Sequence, residues 1–191
     1  MIDRKANAMT ILFLDFDGVL HPHEVYMYHG RSSIELRAGP EHRLFEHAEL
    51  LASLLLPFPE VSIVLSTSWC AAFRRFDAVK AYLPRALQKR VMGATWHSGK
   101  DRYRWSNMSR YDQINEYVAR HQVENWLAVD DDDEQWPDAL RDRLVHTHEW
   151  HGLGVEGTRQ ELLEKLTRLR DAGVAGGAAA NEPRLLPGSC W

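Results

Sequence analysis

The sequence predicts an α/β fold, in which helices cover both faces of a parallel sheet. Short apolar runs typical of buried strands occur at residues 11–16, 61–65 and 126–129, and segments with apolar side chains at helical spacing separate them. Strands that alternate with helices form parallel sheets with right-handed crossovers. Each run also ends in polar residues. Because ligands bind at the carboxyl ends of the strands in such sheets, we expect the functional residues there.

The first run, at 11–16, is apolar and ends in acid and glycine, as expected of a strand that is buried on both faces. The other two runs have the same character and end in Ser-Thr-Ser and in Asp-Asp. A weaker apolar run at 143–145 is the candidate for a further strand.

Four segments between and after the strands predict helices. A proline at the first helical position and apolar residues at helical spacing mark the segment 40–56. The segment 71–83 has similar spacing and is followed by proline. A serine N-cap precedes the segment 110–121. A capping box from Thr158 to Glu161 opens the last helix.

The composition is that of one domain of ordinary size. The chain has 191 residues, of which 45% are hydrophobic, and this is enough for a real core. Its formal charge of −4 excludes the broad positive field of a general nucleic-acid binder. The segment 173–191 is rich in glycine and alanine and has no period that builds a core, so we expect a flexible C-terminal tail after a domain at 1–172.

The distribution of cysteine and apolar residues predicts a cytoplasmic protein. The two cysteines, Cys70 and Cys190, lack the spacing of a metal site, which fits a reducing compartment without disulfides. The first nine residues are polar and charged, and the apolar stretch at 50–58 is too short to cross a bilayer. We therefore expect neither a signal peptide nor a membrane partner.

The polar residues at the strand ends suit one chemical task. Asp15 and Asp17 end the first strand, Ser and Thr at 66–67 follow the second, and Asp130 and Asp131 follow the third. Neighbouring parallel strands would bring four carboxylates together, and their mutual repulsion calls for a cation. Ligands that are all oxygen, in a site that keeps waters and also accepts a phosphate oxygen, favour Mg²⁺ over Ca²⁺.

The segment Ile-Leu-Phe-Leu-Asp15-Phe-Asp17-Gly18-Val-Leu resembles the first motif of the haloacid dehalogenase (HAD) superfamily. The resemblance implies a Rossmann-like three-layer sandwich with a minimal cap or none. It also implies that Asp15 is the nucleophile that takes a phosphoryl group and that Asp17 is its acid/base partner, with the Asp17 carbonyl as an additional metal ligand. A carboxylate nucleophile forms an aspartyl-phosphate. We expect the turn at Gly18 to direct Asp17 towards the site.

The segment Val-Leu-Ser66-Thr67-Ser68-Trp69 resembles the second motif of the superfamily. Thr67 is the preferred phosphate-binding hydroxyl and Ser66 is the alternative, because a hydroxyl and nearby backbone N–H groups bind a phosphate oxygen. Ser68 and Trp69 are expected beside the substrate. Trp69 is either a packed wall of the site or a surface on which a base stacks.

Arg110 and Asp131 complete the motifs that the resemblance implies. Arg110 follows the N-cap serine of a predicted helix, where a cation opposes the helix dipole, so a functional role is favoured for it. Three residues of the preceding loop, Lys100, Arg102 and Arg104, compete for this role, and Lys100 is a further candidate for substrate binding. In the fourth motif, Asp131 is expected to hold the metal while Asp130 supports the site.

The resemblance extends over residues 10–168. The segments 84–95 and 146–154 also resemble HAD domains associated with RNA-repair proteins. The roughly 45 residues between the first two motifs leave little room for a cap domain, so an open site is expected. The implied activity is hydrolysis of a phosphorylated nucleotide, nucleic-acid end or small metabolite.

Three alternatives remain open at the level of the sequence. The chain is either the enzyme described above, a sugar phosphatase of the same kind, or a HAD-fold binding module without activity. The histidines at 21 and 23, or those between 146 and 151, suggest a zinc or copper site, but no third-ligand pattern accompanies them.

Overall fold

The computed structural model describes residues 9–27, 34–97, 99 and 101–179 of the chain. The strands are β1 (Thr10–Leu14), β2 (Val25–Met27), β3 (Ile34–Leu36), β4 (Val61–Leu65), β5 (Val91–Ala94), β6 (Trp126–Asp130) and β7 (Leu144–His146). The helices are α1 (Ala48–Leu54), α2 (Trp69–Phe73), α3 (Phe76–Lys80), α4 (Arg85–Gln88), α5 (Arg102–Ser106), α6 (Arg110–His121) and α7 (Glu156–Ala179), with 3₁₀ turns at Asp138–Arg143 and Gly152–Gly154.

Five of the strands form a parallel sheet in the order β5-β4-β1-β6-β7. The predicted α/β fold is thereby confirmed. β1 lies at the centre, where Thr10 pairs with Val61 of β4 and Ile11 pairs with Trp126 of β6. The carboxyl ends of β1, β4 and β6 are consequently neighbours, as the sequence predicted.

Side chains that alternate along β1 supply two separate cores. Leu12 and Leu14 pack on the face covered by α1 to α4 and α7, whereas Phe13 packs on the face covered by α6. On the α6 face, Phe13 makes an edge-to-face contact with Tyr117 at 5.5 Å between ring centroids. Because β1 is buried on both faces, the residues that follow it are held on a rigid support.

The helix predicted at 40–56 is shorter in the structure and begins only at Ala48. Residues before it form turns, and Phe45 adopts a left-handed backbone conformation with φ of 60°. A helix cannot continue through this conformation. The backbone N–H of Phe45 donates instead to His21 Nδ1 at 3.2 Å, so a tertiary contact overrides the local helical pattern.

The other predicted helices agree with the structure to different degrees. The segment 71–83 is divided into α2 and α3 at Arg74, which has φ of 57°. The N-cap is confirmed for α6, where the hydroxyl of Ser109 accepts a hydrogen bond from the Asp112 N–H at 3.1 Å. α7 starts at Glu156 rather than at Thr158, and it continues past the predicted boundary at 172 to Ala179. The extension contains three glycines as well as three alanines, so helix propensity does not account for it.

Several short elements were not predicted. β5 has only four residues, Val-Met92-Gly93-Ala, and glycine interrupts the apolar run that would have predicted a strand. Its pairing with β4 defines it as a strand in the structure. β2 and β3 form an antiparallel pair that, with α1, occupies the described part of the interval between the first two motifs. Across the described residues, none of the helices combines the length and apolar character needed to cross a membrane.

Candidate active site

Three carboxylates meet at the carboxyl ends of β1 and β6. Asp15, Asp130 and Asp131 each offer one oxygen, and these oxygens all lie within 4.8 Å of one another. Asp15 and Asp130 are buried and Asp131 is partly buried. The parallel pairing of β1 with β6 produces this arrangement, because it aligns Leu14 with Val129 and so brings the residues after them together.

Burial, together with repulsion between neighbouring carboxylates, raises the pKa of all three carboxyl groups. Burial raises the pKa of Asp15 above its ordinary value, although Arg110 and the hydroxyl of Thr67 act in the opposite direction. Burial likewise raises the pKa of Asp130 well above its usual range. Burial and then the charge of Asp15 raise the pKa of Asp131 to about 7. A cation placed among these carboxyl groups would favour their ionised forms.

Arg110 is the basic side chain that the structure brings to Asp15. Its Nη2 donates to Asp15 Oδ2 at 2.7 Å, and its Nε lies 2.9 Å from Asp130 Oδ2 without the alignment of a hydrogen bond. Its Nη1 donates to the backbone oxygen of Ser66 and to Gln113 Oε1. Burial would lower the pKa of Arg110, but the charges of Asp130 and Asp15 raise it above its usual value.

The donor set fits a hard divalent cation. Asp130 Oδ2 is buried and has no hydrogen-bond partner among the described residues. Every potential ligand in the group of three is a carboxylate oxygen. The single positive charge of Arg110 is smaller than the combined negative charge of these three carboxylates and Asp17 when all are ionised. Oxygen ligands of this kind are typical of Mg²⁺ sites.

The carboxylate of Asp17 is held apart from the group of three. The indole Nε1 of Trp69 donates to both of its oxygens, at 3.1 and 3.0 Å, and His21 Nε2 lies 3.1 Å from its Oδ1. Its side chain is 24% exposed. Gly18 adopts φ of +67°, and a Cβ at this position would lie 2.2 Å from Asp131 Oδ2. Glycine is therefore required here for the approach of Asp131 as well as for the turn.

The residues of the second motif lie at the end of β4. Ser66 and Thr67 are fully buried, and the Thr67 hydroxyl accepts a hydrogen bond from the Trp69 N–H at 3.3 Å. The Ser66 hydroxyl lacks a partner within the described part of the chain. Ser68 is exposed at the start of α2. Trp69 is buried and its N–H is used by Asp17, so it is a packed wall rather than an open stacking surface.

A family model described as the HAD domain in Swiss Army Knife RNA repair proteins matches residues 11–157. The chain belongs to this family. The match begins in β1 and ends at the start of α7, so it includes every strand of the parallel sheet. Searches of curated proteins and of solved structures returned no match. As a HAD domain, the protein has the fold and family of a phosphohydrolase, which implies in general a phosphorylated substrate.

Within the HAD domain, sequence reasoning missed three residues that support the site. Gln113 accepts from Arg110, and its Nε2 donates to two backbone oxygens before α6. Gln113 lies three residues after Arg110 on α6, so the two side chains are neighbours on the helix surface. This spacing is the sequence signal that could have predicted their contact. The hydroxyl of Thr147 donates to the Gly18 oxygen at 2.7 Å. His21 was considered as a metal ligand or as a substrate contact, but not as a partner of Asp17. Lys100 lies outside the described residues.

Proposed function

We propose that this HAD domain is a Mg²⁺-dependent phosphohydrolase that cleaves phosphomonoesters through an aspartyl-phosphate on Asp15. The observation that carries the proposal is the group formed by Asp15, Asp130 and Asp131, in which Arg110 hydrogen-bonds the proposed nucleophile. A metal-bound carboxylate beside a cation is suited to attack a phosphoryl group, whose charge must be offset.

The metal would be held by the carboxylates of Asp15, Asp130 and Asp131, directly or through water, together with the backbone carbonyl of Asp17. Asp130 Oδ2, which is buried and accepts no hydrogen bond from the described residues, and the raised carboxyl pKa values support this assignment. When bound, Mg²⁺ supplies positive charge that offsets the charge of the phosphoryl oxygens.

In the first step, a carboxylate oxygen of Asp15 attacks phosphorus. The bond between phosphorus and the ester oxygen breaks, its electron pair goes to that oxygen, and the oxygen takes a proton from the carboxyl group of Asp17. Arg110 orients Asp15 through the 2.7 Å hydrogen bond, and the hydroxyl of Thr67 donates to a non-bridging phosphate oxygen.

In the second step, Asp17 acts as a base. Its carboxylate takes a proton from a water molecule, whose oxygen attacks phosphorus as the bond from phosphorus to Asp15 breaks. Inorganic phosphate leaves and the Asp15 carboxylate is restored. The same group thus donates a proton in one step and accepts one in the next.

We propose a phosphorylated nucleic-acid end or nucleotide as the substrate. The family description supports this choice, because it names RNA repair proteins. A second support is Tyr82, which is 40% exposed and packs on Trp69 at 5.4 Å and on Phe45 at 5.8 Å between ring centroids. An exposed aromatic ring near a phosphate site can stack a base. Small sugar phosphates are the competing substrate class.

The reaction is tested by hydrolysis of an aryl phosphate with Mg²⁺ and with EDTA. Asp15→Asn should lower kcat by about 10³-fold or more, as loss of a nucleophile does. Asp133→Asn is the matched control, since Asp133 belongs to the same acidic run but pairs with Arg141 at the surface, and it should retain full activity. Unchanged activity in Asp15→Asn would rule out the nucleophile.

The substrate class is tested separately with phosphorylated oligonucleotides, nucleotides and sugar phosphates. Faster turnover of the oligonucleotides or nucleotides is expected. Turnover of sugar phosphates alone would overturn the substrate proposal while leaving the phosphohydrolase proposal intact. The absence of activity on every compound would instead favour a HAD-fold binding module.

A further inference from the structure

We infer that His21 and Trp69 are positioning residues that orient the Asp17 carboxyl group for proton transfer to the leaving group. This inference rests on the proposed phosphohydrolase function. It begins with the two buried rings that contact Asp17. Both His21 and Trp69 have 0% exposure, although each carries a polar N–H group. Buried N–H groups need acceptors, and here Asp17 provides them for both rings.

The contacts fix the carboxyl group in two directions. The Trp69 indole N–H is shared between the two oxygens of Asp17, at 3.1 and 3.0 Å, which holds the plane of the carboxyl group towards the indole. The His21 ring contacts only Oδ1, at 3.1 Å. The two rings together therefore distinguish Oδ1 from Oδ2 and leave Oδ2 with fewer donors.

The tautomer of His21 follows from its second nitrogen. The backbone N–H of Phe45 donates to His21 Nδ1 at 3.2 Å, so Nδ1 is an acceptor and carries no hydrogen. The ring hydrogen consequently lies on Nε2, from which it is donated to Asp17 Oδ1. The left-handed conformation of Phe45, an unusual one for phenylalanine, directs this N–H.

Aromatic packing keeps the two rings in place. Phe45 contacts His21 at 4.9 Å and Trp69 at 5.4 Å between ring centroids, with large interplanar angles in both cases. Phe16, the residue between the two aspartates, contacts Trp69 at 5.6 Å. Rotation of either polar ring would disturb this packing, so the donors to Asp17 are preorganised.

The orientation of Asp17 matters most when the leaving oxygen needs a proton. An alkyl phosphate releases a strongly basic oxygen, which must be protonated as the bond to phosphorus breaks. An aryl phosphate with an electron-withdrawing nitro group releases a stable anion that needs no proton. A positioning defect should therefore lower kcat/KM, which reports the step in which the leaving group departs, selectively for alkyl phosphates. A general loss of structure should lower it equally for both substrates.

The experiment compares His21→Asn with His21→Gln. The Asn side chain can place an acceptor near the Phe45 N–H but cannot reach Asp17, whereas the Gln amide can place its N–H near the position of Nε2. We expect His21→Asn to lower kcat/KM, which reports the first step only, by about 10- to 100-fold for an alkyl phosphate and by less than about threefold for p-nitrophenyl phosphate. His21→Gln should recover most of the loss. Trp69→Phe, which removes the indole N–H and replaces the buried indole with a smaller ring, should show the same selectivity.

Two references complete the design. Asp17→Asn shows the full size of the leaving-group effect. His23→Gln is the matched control, because His23 pairs with Glu149 and is not one of the two rings that contact Asp17. Equal losses on both substrates in the His21 and Trp69 variants, with a selective loss in Asp17→Asn, would overturn the positioning role alone. Loss of selectivity in Asp17→Asn itself, or activity in Asp15→Asn, would instead overturn the proposed function.

A measurement on the unaltered protein covers the case in which the variants fail to fold. The ¹⁵N shifts of the two imidazole nitrogens distinguish the tautomers of histidine. We expect the hydrogen of His21 on Nε2 in the metal-loaded protein. A hydrogen on Nδ1 would remove the donor to Asp17 and overturn the inference.

Discussion

The guanidinium of Arg110 donates a 2.7 Å hydrogen bond to Asp15, 95 residues earlier in the chain. Arg110 is the first residue of α6, where the positive end of the helix dipole disfavours a cation. The carboxylates of Asp15 and Asp130 outweigh this effect, because both are buried and lie within 3 Å of guanidinium nitrogens. Arg110 therefore links the start of α6 to the ends of β1 and β6.

Arg110→Met should destabilise the metal-free protein by about 3–5 kcal/mol, because it leaves buried carboxylates without their cation. Arg168→Met is the control, since Arg168 forms an exposed ion pair with Asp142 and should contribute less than about 1 kcal/mol. Urea unfolding near neutral pH measures both. Equal changes in the two variants would contradict the role of Arg110 as a buried counterion.

Gly18→Ala should weaken Mg²⁺ binding by at least about tenfold, because the new Cβ would displace Asp131 from a distance of 2.2 Å. The left-handed backbone adds a destabilisation of about 1–2 kcal/mol. Gly157→Ala is the control, since no described atom lies within 4 Å of its added Cβ, and it should slightly stabilise α7. Calorimetric titration with Mg²⁺ measures the difference, and unchanged affinity in Gly18→Ala would count against Asp131 as a ligand.

Mg²⁺ should raise the Tm more at about pH 8 than at about pH 5.5. Burial and neighbouring carboxylates raise the pKa of Asp131 to about 7, so the folded metal-free protein keeps a proton that the unfolded chain releases. The stability of the metal-free protein therefore falls as the pH rises from about 4 to about 7, while the ionised ligand becomes available to the metal. Thermal unfolding with and without Mg²⁺ tests this, and equal shifts at both pH values would contradict it.

Thr147→Val should destabilise the fold by about 1–3 kcal/mol, because it leaves the Gly18 oxygen without its 2.7 Å hydrogen bond. Thr147→Ser retains the hydroxyl and should recover most of this stability. Thermal unfolding of the two variants distinguishes the hydrogen bond from loss of packing. Thr147→Val with the stability of the unaltered protein would contradict a stabilising role of this hydrogen bond.

The placement of Asp15, Thr67 and Asp130 could be predicted because each lies at or just after the carboxyl end of a buried strand. Apolar runs locate such strands, and the parallel sheet then brings their ends together. β5 was missed because its contacts with β4, rather than its own sequence, define it as a strand. The local pattern is sufficient to place these three residues at the strand ends but insufficient to predict the elements that surround the site.

The contacts of Asp17 depend on three-dimensional structure that local patterns do not contain. His21 lies one helical spacing beyond Asp17, yet no helix joins them; a turn and the Phe45 backbone bring their side chains together. Phe45 has a left-handed conformation inside a segment that reads as a helix. Neither feature has a sequence signal, because both follow from packing against Trp69 and Phe16.

The central position of β1 also determines when the site can form during folding. β1 is near the start of the chain, but its two neighbours, β4 and β6, come much later in the sequence. Such non-local pairings form slowly, and an N-terminal segment leaves the ribosome before its partners are made. Asp15 therefore remains exposed without its counterion until α6 and β6 have been synthesised, and the group of three carboxylates is assembled only when the sheet closes.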